Sequence, residues 1–370
     1  MSGDMQRWTP NVASIIEHAN EFHPTKEVIS RMVSGEVHRT NYAEVCVRSR
    51  KLASALEKDG YKKGDVIATL ALNTYRHLEM YYGISGMGAI CHTLNFRLHP
   101  EQAVYIINHA DDKIIFCEAP FIPIMEGLKD QLTCVEKYII LCDESEMPET
   151  ALKNAISYEE YISSGDEDYE WPAMDDDAAC GLCYTSGTTG NPKGVLYSHK
   201  SNILHAQASL NAMPIGPDET ILMVVPLFHV LAWGIPYYGP MNGSKLVMPG
   251  MQMEGEPLYD LIDKEEVTLA FGVPTIWMGL LTYCRDNNKI LTSVRNTIIG
   301  GSALSLPTLQ EFDEVHDVNV IHAWGMTEMS PLGTINVPTP EMENMGKEEK
   351  YAIQLKQGKP IYGVELKVVD

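Results

Sequence analysis

Along most of this chain, short apolar runs alternate with segments of helical periodicity. That alternation leaves few folds open. Residues 43–58 repeat apolar side chains at helical spacing, and 66–72 is a continuous apolar run of strand length. A helical segment at 75–87, a strand at 89–94, a helix opened by Pro100 that ends near His109, and strands at 113–117 and 138–142 follow. The second half repeats the scheme. Strands are predicted at 220–225, at 268–272 (opening onto a helix at Pro274), at 297–299 and at 320–323. Strand, helix, strand in this order predicts parallel sheets joined by crossover helices. At 370 residues, the chain is long enough to divide into two subdomains. The acidic stretch 166–177 reads as a solvated connector, and 341–350 as a surface loop or short helix. Residues 364–369 alternate as one more strand.

One loop carries the densest chemistry: Tyr184-Thr185-Ser186-Gly187-Thr188-Thr189-Gly190-Asn191-Pro192-Lys193-Gly194. Four hydroxyls, three glycines and a lysine follow an apolar run. Hydroxyls and bare backbone N–H groups donate to phosphate oxygens, and glycine lets the backbone come close. Lys193 adds a positive charge suited to a polyphosphate. The plainer alternative is a polar surface turn, but such turns seldom have a strand before them and Pro-Lys-Gly after them. The loop is not a Walker sequence, because Lys193 is followed by Gly194 rather than Ser or Thr. Gly83-Ile84-Ser85-Gly86-Met87-Gly88 has its glycines in the wrong order for a dinucleotide fingerprint, and reads as close helix packing.

Composition narrows the partners. A net charge of −22 argues against nucleic acid and anionic membrane surfaces, which need basic patches. It also means that a bound polyphosphate needs local compensation, from Lys193, backbone dipoles and a divalent cation. Residues 1–7 lead into a mixed segment without the apolar run of a signal peptide, and no stretch has the length of a membrane span. The eight cysteines lie mostly in apolar runs, as expected of reduced thiols in cytoplasm. Cys180 and Cys183 have C-x-x-C spacing, but no second pair completes a zinc site. On a strand, their sulfurs would face opposite sides.

Four predicted strand ends carry reactive or glycine-rich residues, where open α/β sheets bind ligands. They are the phosphate loop, Pro226-Leu227-Phe228-His229, Gly300-Gly301-Ser302-Ala303 and Trp324-Gly325-Met326-Thr327-Glu328. In this order they resemble the motifs of the AMP-forming adenylating superfamily of acyl-CoA synthetases, luciferases and peptide-synthetase adenylation domains. Asn95-Phe96-Arg97, Asn108-His109-Ala110-Asp111 and Gly358-Lys359-Pro360 add to a resemblance that covers nearly the whole chain. The run from His322 to Gly333 is similar to medium-chain and methylmercaptopropionate-type CoA ligases.

The resemblance implies a five-layered α/β core of two stacked parallel-sheet subdomains flanked by helices. The first subdomain would be 61–212, the second 1–60 plus 213–340, with 341–370 beginning a small β-barrel. It implies ATP, Mg²⁺ and CoA acting on a small carboxylic acid, with no nucleic acid and no membrane span. Monomer and homodimer both occur in the superfamily, and the sequence does not choose. Thr185, Ser186, Gly187, Thr188, Thr189 and Lys193 would hold the β- and γ-phosphates. Gly301, Ser302 and Ala303 would flank the adenine, with Trp324 opposite and Gly325 and Met326 beside it. Thr327 would donate to the α-phosphate, and Glu328 would ligate Mg²⁺. His229, Trp233, Gly300, Met326 and Met329 would line the acyl pocket. The family also carries a ribose-binding aspartate, a hinge and a small domain with the lysine that drives adenylation. These are expected beyond residue 370, so the chain alone is expected to turn over poorly. A carrier-loading adenylation domain and an inactive nucleotide-binding remnant are the alternative readings.

Overall fold

In the computed structural model, residues 8–185 and 191–369 are described, and they form two sheet-centred units. The first unit comprises Met1–His18, Val45–Leu70 and Glu79–Leu204. Its seven-stranded sheet runs, edge to edge, through Ala155–Ser157, Lys137–Ile140, Ile114–Cys117, Val66–Leu70, Ile90–Thr93, Ala179–Thr185 and Lys193–Ser198. All neighbours are parallel except the last pair. Ile67, Ile115, Phe116 and Ile139 have negligible exposure, as continuous apolar runs do in a sheet covered on both faces.

The second unit comprises Ala19–Glu44, Ala71–Leu78 and the chain from His205 onward. Its nine strands lie in the order Lys359–Pro360, Leu332–Asn336, Asn319–Gly325, Asn296–Ile299, Leu269–Gly272, Thr220–Met223, Lys245–Met248, Glu27–Arg31 and Val37–Asn41. The six strands from Asn319–Gly325 to Glu27–Arg31 are mutually parallel. Helices Gly255–Lys264, Pro274–Asp286 and Leu306–His316 cover part of this sheet. Leu258, Trp277, Leu280, Leu309 and Phe312 interlock in one core with strand residues. Trp277 and Phe312 meet edge to face at 6.1 Å.

Local rules place the helix ends. Pro100 opens Pro100–Ala110, and Asp111 closes it in the left-handed region, its N–H returning to Ile107 and Asn108. Ser305 accepts from the Thr308 N–H at the start of Leu306–His316. Gly83 and Gly86 do mark tight packing. A Cβ on Gly83 would lie 2.8 Å from Leu52, and one on Gly86 2.5 Å from Trp171. Cys180 and Cys183 have separate neighbours, Asn202 and Thr93, and all eight cysteines are free thiols. Among the described residues, no helix is long and apolar enough to cross a membrane.

Two expectations differ from the structure. Residues 8–18 and 45–60 belong to the first unit rather than the second. There Arg48 Nε reaches Glu79 at 2.7 Å while its other nitrogens grip Glu159 at 2.8 and 2.9 Å. Conversely 71–78, tied there by Asn73, and 205–212 belong to the second unit. The expected strand at 364–369 is irregular: Val368 and Val369 are largely exposed, and no strand among the described residues pairs with it. Alternation alone does not make a strand without a ladder partner. The segment after Pro340 is a short 3-10 turn and the helix Lys347–Gln354, anchored by buried Tyr351 on Asp313.

Glu79 is fully buried, and desolvation raises its pKa against the pull of Arg48. Tyr158 donates to its second oxygen at 2.8 Å. Replacing Arg48 with Met strands that carboxylate, at a cost of about 3–5 kcal/mol in urea unfolding. A double change, Arg48→Met with Glu79→Met, is expected to recover most of the loss; no recovery would assign the defect to packing.

Burial lowers His77, His199 and His205 to about 4 from an ordinary 6.5. The unfolded chain takes up these protons near pH 6.5 and the folded chain resists until about 4. Their contribution is complete above pH 6.5, declines as pH falls through that window and levels off below 4. At about 3 kcal/mol each at most, they make stability fall steeply between pH 6.5 and 4.5. Urea midpoints across that range should show this, with a shallower slope in His77→Gln.

Candidate active site

The parallel sheet of the second unit changes direction at Thr220–Met223. The chain leaves this strand for Lys245–Met248 on one side, while Leu269–Gly272 on the other side leads on to Asn296–Ile299. Such a reversal opens a crevice beyond the carboxyl ends of the strands. One side chain shapes that end. The Asn73 amide donates to the carbonyls of Met223 and Val225, both at 2.8 Å, and its oxygen accepts from the Leu227 N–H at 2.8 Å. Sequence reasoning did not single out Asn73, which lies 150 residues from the backbone it holds.

After Pro226-Leu227-Phe228, His229 stands at the rim, exposed. The atoms packed around its ring lower its pKa and favour neutral imidazole. The chain then makes a left-handed turn: Val230, Leu231, Ala232 and Trp233 have φ of 49°, 49°, 48° and 56°, and Gly234 83°. Left-handed backbone costs an L-residue roughly 1–2 kcal/mol, so four in succession persist only where the surroundings impose them. The turn lays the Trp233 indole along the end of Asn296–Ile299. A Cβ on Gly300 would fall 3.2 Å from that ring and 3.0 Å from the Ala323 carbonyl. Gly301 has φ 79°, a conformation that favours glycine.

The last strand end supplies the facing wall. Asn319–Gly325 pairs antiparallel with Leu332–Asn336, slipping by one residue between Trp324 and Gly325. The Met326 N–H donates to the Pro331 carbonyl at 3.0 Å, and Thr327–Met329 closes a single 3-10 turn. The half-buried Trp324 ring lies 2.8 Å from where a Cβ on Gly333 would sit.

A cavity of about 200 Å³ opens among these elements. It brings together His229, Trp233, Gly300, Gly301, Trp324, Gly325, Met326 and Thr327. Ser302 and Ala303 sit exposed beside Gly301, outside the lining. Glu328 and Met329 also lie outside it, Glu328 exposed and the Met329 methyl turned against Gly333. The cavity adds residues that sequence reasoning missed, among them Met213, Tyr238, Phe271, Ile298, Pro331 and Leu332. Phe271 and Ile298 end strands that were legible. Tyr238 lies on a helix whose sequence gave no sign of a site.

In the first unit, the hairpin on either side of the hydroxyl- and glycine-rich loop pairs Thr185 with Lys193. Thr185 Oγ1 is 3.4 Å from the Lys193 carbonyl, and the Lys193 side chain is exposed. Ser186, Gly187, Thr188 and Thr189 lie outside the described residues.

The chain also matches known proteins. The AMP-binding enzyme family matches residues 16–370. The chain is 46% identical, over its whole length, to the 3-methylmercaptopropionyl-CoA ligase of Ruegeria lacuscaerulensis, and covers 69% of that protein. It is 45% identical over its whole length to the medium-chain-fatty-acid–CoA ligase of Ectopseudomonas oleovorans, covering 68% of it. The crystal structure of the anthranilate CoA ligase AuaEII with anthranoyl-AMP has the same fold: TM-score 0.86, 22% identity, 100% of this chain and 68% of that one. With four strand-end motifs in family order and a family match from residue 16 onward, the chain belongs to the AMP-binding enzymes.

Proposed function

We propose that this chain is the adenylate-forming part of an AMP-forming acyl-CoA ligase for a short or medium-length, uncharged carboxylic acid. The observation that carries this reading is the cavity at the sheet reversal, which joins two indoles, three glycines and apolar walls to the Thr327 side chain. A carboxylate oxygen attacks the α-phosphorus of ATP and pyrophosphate leaves, giving acyl-AMP. The CoA sulfur then attacks the acyl carbon, AMP leaves and the thiol proton is released. Both steps concentrate negative charge, so positioning and electrostatics carry most of the catalysis.

Each residue has a role suited to its chemistry. Lys193 and the hydroxyls and N–H groups from Thr185 to Thr189 hold the β- and γ-phosphates. Trp324 offers a flat face to adenine, and Gly301, Ser302 and Ala303 leave room on the other side, with Gly325 and Met326 alongside. The Thr327 hydroxyl donates to the α-phosphate. Glu328 is exposed and, among the described residues, has no cationic partner, so it fits a hard divalent ion. Bound Mg²⁺ would neutralise phosphate charge there. His229, neutral at the rim, takes the carboxylate end of the acid, while Trp233, Gly300, Met326 and Met329 shape its path. An amino acid would need a carboxylate for its ammonium, and among the described residues the lining carries none. The free, mostly buried thiols suit a reducing compartment such as cytoplasm.

Carboxylate-dependent exchange of pyrophosphate into ATP, run with Mg²⁺ on the full-length protein, tests the reading. Exchange should appear with short, medium and thioether acids. Lys193→Ala should lower kcat/KM for ATP by about 10²-fold or more. Glu328→Gln should raise the Mg²⁺ concentration needed for half-maximal exchange. Absence of exchange with every acid would favour the inactive remnant; exchange followed by transfer to a carrier protein but not to CoA would favour the carrier-loading domain.

A further inference from the structure

Tyr238 sits in the wall of the cavity, on the helix Ile235–Asn242, and has no solvent exposure. Its hydroxyl has no hydrogen-bond partner among the described residues. Other buried tyrosines use theirs: Tyr42 donates to the Ser244 carbonyl at 2.5 Å, Tyr158 to Glu79 at 2.8 Å and Tyr161 to Asp59 at 3.1 Å. Beside Tyr238 the cavity wall is mostly apolar, and the His205 ring approaches it at Gly234. Phe271 lies 5.9 Å from Tyr238 between ring centres, and Met213, Ile298 and Leu332 line the same space. An unmade hydrogen bond of a buried hydroxyl costs roughly 1–3 kcal/mol, and a phenylalanine would fill the same volume without that cost. The hydroxyl is therefore informative about what enters the cavity.

We propose that the partner of the Tyr238 hydroxyl is the substrate's own chain, which makes Tyr238 a specificity-determining residue for acids carrying a hydrogen-bond acceptor along that chain. This rests on the acyl-CoA ligase reading above. Ether, keto and hydroxyl oxygens accept from a phenol, and a thioether sulfur accepts more weakly. A plain hydrocarbon acid leaves the hydroxyl unpaired, and a site with an unpaired polar group discriminates against the ligand that fails to pair it. Burial raises the phenol's pKa well above its ordinary value, so it stays a donor at neutral pH.

The test compares three acids of nearly equal shape, pentanoate, 3-methoxypropanoate and 3-(methylthio)propanoate, in pyrophosphate exchange by the full-length wild type and by Tyr238→Phe. The wild type should prefer 3-methoxypropanoate over pentanoate by about tenfold in kcat/KM, one hydrogen bond's worth, and 3-(methylthio)propanoate by a smaller factor. In Tyr238→Phe each ratio should fall to about one or below, because the heteroatom then enters an apolar wall. A wild type that shows no preference, or a preference that survives in Tyr238→Phe, overturns the proposal and leaves the ligase reading standing. A wild type that exchanges with none of the acids overturns both.

Discussion

Three hydrogen bonds from one buried side chain fix the end of the strand on which the cavity turns. Asn73 holds the carbonyls of Met223 and Val225 and the N–H of Leu227. A strand that ends in a crevice loses its ladder partners just where its backbone must change course, and those groups need substitutes. Asn73 supplies them from its side chain, and its own carbonyl accepts from the Gly250 N–H at 3.2 Å. Four groups from two stretches of chain, 223–227 and Gly250, thereby meet at one residue. The trajectory of 226–229 follows from this clamp, and so does the place where His229 leaves it.

The turn that follows is expensive. Val230 is β-branched, the type least tolerant of positive φ, and three more non-glycine residues follow it in the same region. What makes the conformation tolerable is what surrounds it. Val230, Leu231 and Ala232 are buried, and the Ala232 N–H returns to the His229 carbonyl at 3.0 Å. A right-handed turn with the same side chains would send Trp233 elsewhere. The indole comes against Gly300, where a Cβ would lie 3.2 Å from it, only because the backbone has the opposite hand, so strain in 230–233 and the absence of a Cβ at 300 are two halves of one arrangement.

This explains which parts of the site could be read in the sequence. Strand ends rich in glycine and hydroxyls announce themselves, because the residue types serve few other purposes at those places. The runs ending at Gly300 and at Trp324 fall in one cavity for that reason. Tyr238 and Asn73 announce nothing. A tyrosine in an apolar helix reads as core, and an asparagine before a helix reads as a cap. Only the tertiary partners, or the lack of one, separate these roles from the ordinary ones. The strand expected at 364–369 shows the converse limit: its alternation is clear, but a ladder needs a neighbour, and alternation does not encode one.

His205 joins the two walls through its tautomer. Its Nε2 accepts from the Leu332 N–H at 3.1 Å, so in the neutral ring Nδ1 carries the proton. That proton has no acceptor among the described residues. The ring instead presses on Gly234, where a Cβ would lie 2.8 Å from Nδ1 and 3.5 Å from Tyr238. Gly234 thus answers two demands, positive φ at the end of the left-handed turn and room for two rings. Protonating His205 would convert Nε2 from acceptor to donor and set two N–H groups against each other at Leu332. Burial already lowers its pKa to about 4. The neutral imidazole is therefore the form that lets the strand after Pro331 and the turn before Tyr238 share one support, and the shape of the cavity depends on that ring staying uncharged.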